Sequence, residues 1–295
     1  MIHTIDLHFQ GIEHAIAAFL VETSVGPVII ETGPHSTFPY LKKGIENLGY
    51  SLSDIKHVFL SHIHFDHAGA AWAFAELGAT IYVHPIGAPH LADPSRLWNS
   101  AKRIYQDQME VLWGQMQPIE EDQLRITEHG EAINIGDTIF TGWHTPGHAI
   151  HHIAWQLGDH LFAGDVAGVK IGNGLVVPPC PPPDINMENW MASIELIRGL
   201  AIKNIHLTHY GKIDRIQEHL DSLEVCLKDW ADWIQPYAIA KDDVADITPK
   251  FQAYVARQLS DYGISESGIQ QYETANPSWM SVAGLMRYWS KRSGT

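Results

Sequence analysis

Three histidines and an aspartate fall within six residues in the stretch SHIHFDHAG, residues 61–69. Burying such side chains without partners costs roughly a few kcal/mol each. Imidazole nitrogens and carboxylate oxygens gathered at one point are the donors that zinc, iron or manganese takes. The apolar run before them, HVFLSH at 57–62, reads as a buried strand. The alanine-rich run after them, Ala68 to Leu77, reads as a helix with Gly78 as its C-terminal cap. His62 and His64 stand at i and i+2, so a continuing strand puts both on one face. Asp66 and His67 come where the chain must turn, and Gly69 leaves room for a close backbone approach. The expectation is four ligand atoms around one spot at the end of a strand.

Further donors follow downstream. His144, His148, His151 and His152 cluster around the turn Thr145-Pro146-Gly147, and spacing alone does not choose among them. Asp165 follows Gly164 at the end of HLFAGD, and His209 ends NIHLTH. His3, His8, His14, His35, His84 and His90 read as structural.

Taken together and in order, SHIHFDHAG, TPGH at 145–148, FAGD at 162–165 and LTHYG at 207–211 resemble the signature motifs of the metallo-β-lactamase-fold hydrolases, in their glyoxalase-II-like branch. The resemblance spans roughly residues 1–212. It implies an α/β fold, the four-layer αβ/βα sandwich of two facing sheets flanked by helices. It also implies that His62, His64 and His148 hold one divalent cation, that Asp66, His67 and His209 hold a second, and that Asp165 bridges them. Zinc is the leading candidate, with iron or manganese as alternatives. The implied chemistry is hydrolysis by a metal-bridging hydroxide, with Asp66 and Asp165 as the catalytic carboxylates. One departure stands out: where the family carries an aspartate in a D-T-G-like turn, this chain has Glu31-Thr32-Gly33. Glu31 is expected to support the site from behind the ligands rather than bind metal.

The substrate is less constrained, because one fold hosts many chemistries. The leading expectation is an ester, thioester or lactone of a small molecule. An aspartate at 165 argues against a true β-lactamase, where the resemblance implies cysteine or serine. Acyl-homoserine-lactone lactonases carry a tyrosine three residues past the bridging aspartate, and here that residue is Gly168. A mononuclear iron dioxygenase on the same scaffold is the other enzymatic reading. A non-catalytic diiron protein ranks below both, since no βαβ pattern for a flavodoxin domain follows. Trp113, Tyr210 and Lys170 are the candidate substrate contacts.

The chain has 295 residues, 45% of them hydrophobic, and a formal net charge of −15 with 19 histidines. Such acidity disfavours nucleic acid and anionic membranes as partners. No apolar run approaches the roughly 20 residues that span a bilayer, and MIHTIDLHFQ has neither the basic start nor the apolar core of a secretory signal. The two cysteines, Cys180 and Cys226, stand far apart, so the expectation is a reducing cytoplasm.

Strand and helix patterns alternate over the first third, with strands expected at 2–9, 15–22, 26–33 and 80–84 and a helix from Tyr40 to Leu48. Residues 86–125 read as a helical insertion. Short strands return from 131 to 165, then a proline-rich loop, VVPPCPPPD at 176–184, a helix from Met187 to Ile197 and the strand 204–209. A helical C-terminal extension, 213–295, is expected to follow a catalytic domain over 1–212, with helices at 216–234, 247–260 and 277–291. Met280, Val282, Leu285, Met286 and Trp289 recur at helical spacing in the last of these, a pattern that suits core and offers a homodimer contact.

Overall fold

The structure is a computed structural model and describes residues 1–293. Strands β1 (Ile2–Asp6), β2 (Ala17–Thr23), β3 (Gly26–Ile30), β4 (His57–Phe59), β5 (Thr80–Val83) and β6 (Leu124–Ile126) form one sheet in sequential order. The first three run antiparallel and β3 to β6 run parallel. Strands β7 (Glu131–Ile135), β8 (Thr138–His144), β9 (Ile153–Leu157), β10 (His160–Phe162), β11 (Asn204–Leu207) and β12 (Gly211–Ile213) form the second sheet, also in sequential order.

The near-continuous apolar strands are explained by burial on both faces. Phe19, Val21, Val28, Ile30 and Phe59 point inward against Phe140, Ile153, Trp155 and Phe162 of the second sheet. Their alternates, Leu20, Ile29 and Val58, pack outward under helices. Phe59 is the pivot. Its ring stacks on Tyr82 at 4.3 Å and on Phe140 at 4.5 Å. Just beyond it, the indole N–H of Trp155 donates to the Leu60 carbonyl at 2.9 Å, and the Ile153 N–H donates to the Ser61 carbonyl at 2.7 Å. Both sheets therefore grip the chain where it leaves β4.

The helices are α1 (Phe38–Asn47), α2 (Phe65–Ala68), α3 (Ala71–Ala75), α4 (Ala88–Ala92), α5 (Ser95–Tyr105), α6 (Met109–Trp113), α7 (Met187–Arg198), α8 (Ile216–Ala240), α9 (Val244–Asp261), α10 (Glu266–Ala275) and α11 (Ser278–Ser293). No described helix is long and apolar enough to cross a membrane. The expected insertion 86–125 is three short helices, and its last residues belong to β6, which extends the first sheet. β12, past the expected last strand, and α10 are further elements that the sequence pattern does not mark. The expected helix 68–77 begins earlier, at Phe65, and breaks around Gly69 and Ala70.

The last helices close onto the body. Val282, Leu285 and Met286 are buried within the chain itself, so the stripe offered for a homodimer contact is largely spent on the core. The Tyr272 hydroxyl donates to the Leu175 carbonyl at 2.6 Å, and the Asn276 amide donates to the Pro178 carbonyl at 3.2 Å. These bonds fasten the proline-rich loop to α10 and the start of α11.

Candidate metal centre

β4 stops at Phe59, so His62 and His64 do not share a strand face as expected. They sit in the loop between β4 and α2, with His64 at the N-cap of that helix. Asp66 and His67 lie inside the single helical turn of α2. A helical turn, rather than an extended strand, therefore sends the four side chains to two sides of a common centre.

Five ring nitrogens and three carboxylate oxygens converge there. His62 Nε2 lies 2.8 Å from His64 Nδ1, and His148 Nε2 lies 3.2 and 3.1 Å from those two atoms. Asp165 Oδ2 is 3.3 Å from His148 Nε2. The other oxygen of the same carboxylate, Oδ1, faces His67 Nε2 at 3.2 Å and His209 Nε2 at 3.4 Å. Asp66 Oδ2 completes this second group, 3.7 Å from His67 Nε2 and 3.5 Å from His209 Nε2. Three groupings of this set, His62–His64–His148, His62–His67–Asp165 and Asp66–His67–His209, each bring their donor atoms within 4.8 Å of one another.

These atoms face a shared point rather than each other. His67 Nε2 and Asp165 Oδ1 are close, yet both are buried without a hydrogen bond among the described residues. Zinc–nitrogen bonds of about 2.0–2.1 Å set tetrahedral ligand atoms about 3.3 Å apart, which matches the spacings within the cluster. The tautomers agree. His148 Nδ1 donates to the Pro179 carbonyl at 2.8 Å and His209 Nδ1 donates to the Ala15 carbonyl at 2.7 Å. A carbonyl can only accept, so in the neutral form of each ring Nε2 turns its lone pair inward. The residues fit divalent metal.

The electrostatics differ between the two sides. Burial, reinforced by the His67, His64 and His148 imidazoles, holds His62 well below the ordinary histidine value. Burial and His148 take His64 down to about 3, and burial also lowers His148. Burial opposes charge on His67 too, but Asp165, Asp66 and Glu31 outweigh it and hold that ring well above the usual range. His209 is raised against its own burial by Asp165 and Asp66. Burial would lift the two aspartates, yet His67 and its neighbours keep Asp66 at about 2 and Asp165 well below the carboxylate range.

A ring of supporting contacts fixes the ligands. Glu31, which is buried, places Oε1 3.4 Å from His67 Nδ1, on the side of that ring away from Asp165. The adjacent Thr32 hydroxyl donates to the His67 carbonyl at 2.9 Å. His152 is not a ligand: the Asp165 backbone N–H donates to its Nε2 at 3.1 Å, and its Nδ1 meets the Thr145 hydroxyl at 2.8 Å. Gly164 has φ 49°, and a Cβ there would stand 2.6 Å from His152 Nε2 and from Ser61. Only glycine lets Asp165 come this close. Gly168, where lactonases of the family would carry tyrosine, has φ 79° and would set a Cβ 2.8 Å from Leu223.

His64, Asp66, His148 and Asp165 open onto a cavity of about 990 Å³ walled by α5, α6, residues 179–184 and residues 274–280. Trp113, a candidate substrate contact, is among the residues that line it. Tyr210 and Lys170 do not: Tyr210 packs beside His14, ring centroids 4.6 Å apart, and the Lys170 backbone N–H bonds the His209 carbonyl. His151, one of the four histidines clustered around the Thr145-Pro146-Gly147 turn, lines the cavity as well and is 6% exposed.

The family model of the metallo-beta-lactamase superfamily matches residues 11–209. The metallo-beta-lactamase fold-containing protein ST1585 of Sulfurisphaera tokodaii is 28% identical over 220 residues, 71% of this chain and 83% of that one. The solved structure of ST1585, there given as from Sulfolobus tokodaii, aligns with a TM-score of 0.61 at 25% identity over 75% of this chain and 84% of its own. The metallo-beta-lactamase family protein TTHA1429 from Thermus thermophilus aligns with a TM-score of 0.71 over 99% of this chain and 93% of its own; at 16% identity it speaks to the fold alone. With a family model covering more than half its length, the chain belongs to the metallo-beta-lactamase superfamily.

Proposed function

We propose that this protein is a dinuclear metal-dependent hydrolase of a small-molecule ester, thioester or lactone. One observation carries the reading: the two oxygens of Asp165 face two separate donor groups, His62, His64 and His148 on one side and Asp66, His67 and His209 on the other. Two divalent cations so held, zinc first among them, would lower the pKa of water toward neutrality and polarise a substrate carbonyl.

The chain's own residues do the rest. Asp165 is fixed through its backbone N–H on His152, which holds its carboxylate between the two groups. Asp66 is the most open of the site's carboxylates, its side chain 23% exposed, and it lines the cavity. From the cavity floor it can orient a water by accepting a hydrogen bond from it. Ile63 and Phe65, between the ligands, line the cavity beside it and keep bulk water from the reacting carbonyl.

The test is metal analysis of the purified protein joined to a panel of esters, thioesters and lactones. Two metals per chain with turnover of one class supports the reading. One iron per chain with oxygen uptake replaces hydrolysis with oxygenation.

A further inference from the structure

The run Pro178-Pro179-Cys180-Pro181-Pro182-Pro183 carries a single backbone N–H, that of Cys180, because proline has none. That N–H shares one peptide unit with the Pro179 carbonyl, and both polar groups of the unit are used. The carbonyl accepts from His148 Nδ1 at 2.8 Å. The N–H donates to Ser281 Oγ, near the start of α11, at 3.4 Å. The peptide is trans, and in a planar trans unit the two groups point opposite ways. Ser281 therefore holds one end of the unit whose other end holds a ligand of the metal centre.

Further contacts complete the brace. Ser281 Oγ donates to Asn276 Oδ1 at 3.4 Å, and Asn276 Nδ2 donates to the Pro178 carbonyl at 3.2 Å. Hydrogen bonds thus close a ring around Pro179, from Pro178 through Asn276 and Ser281 to Cys180. Both side chains are buried, where bulk water does not replace a lost partner. One turn beyond Ser281, a Cβ at Gly284 would stand 1.9 Å from the Cys180 carbonyl oxygen. Glycine inside a helix weakens it, and here it lets α11 lie directly against the loop.

We propose that Ser281 and Asn276, at the C-terminal helices, are positioning residues for the metal centre: through the Pro179–Cys180 peptide they aim the carbonyl that orients the His148 ring, and so set how tightly the His62–His64–His148 trio holds a cation. The role rests on the proposed reading in taking that trio as a cation site, but the aim of the ring is measurable without metal. A partner behind an imidazole ligand fixes its tautomer and the direction of its lone pair. Ser281 stands one step further back, so its effect is smaller. His209 is the contrast: its Nδ1 donates to the Ala15 carbonyl, which lies outside the ring around Pro179.

The experiment compares Ser281→Ala and Asn276→Ala with Tyr272→Phe, which releases the same loop at the Leu175 carbonyl, outside the ring. Zinc titrations in competition with a fluorescent chelator read the affinities of the two donor groups. In Ser281→Ala the trio should hold zinc about 3- to 10-fold more weakly, with the Asp66–His67–His209 side unaffected. Asn276→Ala should act in the same direction, which keeps the test if Ser281→Ala folds poorly. Tyr272→Phe should lower the melting temperature and leave both affinities as they were. In metal-free protein, nitrogen-15 spectra of the imidazoles follow exchange of the His148 Nδ1–H with water. That exchange should quicken in both alanine variants, while the His209 Nδ1–H serves as the unaltered reference. Unaltered His148 exchange overturns the inference, as does a zinc-binding protein whose trio affinity survives both alanine variants, or an equal loss in Tyr272→Phe. Faster His148 exchange in the variants of a protein that takes no zinc at the trio upholds the brace and rejects the two-metal reading.

Discussion

The two sides of the metal centre are built from different materials. His62, His64 and His148 form a set of imidazoles, His62 and His148 buried and His64 half-buried, whose pKa values are all pushed down, so they stand neutral with lone pairs ready. Asp66, His67 and His209 form a cluster of opposite charges, the histidines raised and the aspartate lowered by one another. In the first group a cation meets ligands already in their binding state. In the second it must displace protons that carboxylates hold in place, and it gains two anionic oxygens in return. Asp165 belongs to both, one oxygen to each. The difference teaches that the two donor groups are unequal and share one side chain; on the proposed reading they are two cation sites, and removing a residue from one side should not silence the other.

The largest effect is expected where the sides join. Asp165→Ala should lose both metals and lower kcat/KM on the order of 1,000-fold or more, read by elemental analysis beside steady-state kinetics. Truncation on one side comes next. His209→Ala should take the content from two metals per chain to one, whereas His64→Ala should strip the metal held by the trio and nearly all activity; equal full occupancy in both variants would break the comparison. Smaller still is the loss behind the ligands. Glu31→Gln keeps the shape but removes the charge that sits 3.4 Å from His67 Nδ1, and should weaken metal at the Asp66–His67–His209 side by about 10- to 100-fold with the other side unaffected. Competition with a fluorescent chelator reads that difference.

A last effect, on stability and not on metal or turnover, separates the centre from the rest of the fold. His206 and His219 lie outside the ligand set, and burial takes each down to about 4 from the ordinary 6.5. The unfolded chain binds their protons first, so stability is full above about pH 6.5 and falls as pH drops toward about 4. Each contributes roughly 3 kcal/mol to that slope. Urea midpoints of metal-free protein at about pH 7.5 and about pH 4.5 should differ accordingly, and His219→Gln should flatten part of the slope.

Legibility follows distance along the chain. The ligands from His62 to His67 are packed into six residues, so their types and spacing announce a centre before any fold is known. His148, Asp165 and His209 are recognisable only in the company of short motifs, since His144, His151 and His152 offer the same chemistry. Glu31 shows in the sequence as a departure, but its partner is far away along the chain and only the fold brings His67 to it. The brace behind His148 is hidden for the same reason: Asn276 and Ser281 share no pattern with Pro178-Pro179-Cys180 until their segments meet. The missed strands β6 and β12 are three residues each, too short to show alternation. The missed helix α10, with Glu, Ser, Gly and two glutamines, buries only Tyr272 and Ala275 and has little apolar stripe to read.

The central claim, that Asp165 divides its two oxygens between two cations, is tested most directly by anomalous diffraction at the zinc edge from crystals grown with zinc. Two peaks about 3.5–4 Å apart, one between His62, His64 and His148 and one between Asp66, His67 and His209, with Asp165 reaching both, is the predicted result. A single peak, or a pair that leaves one Asp165 oxygen unbound, would contradict it.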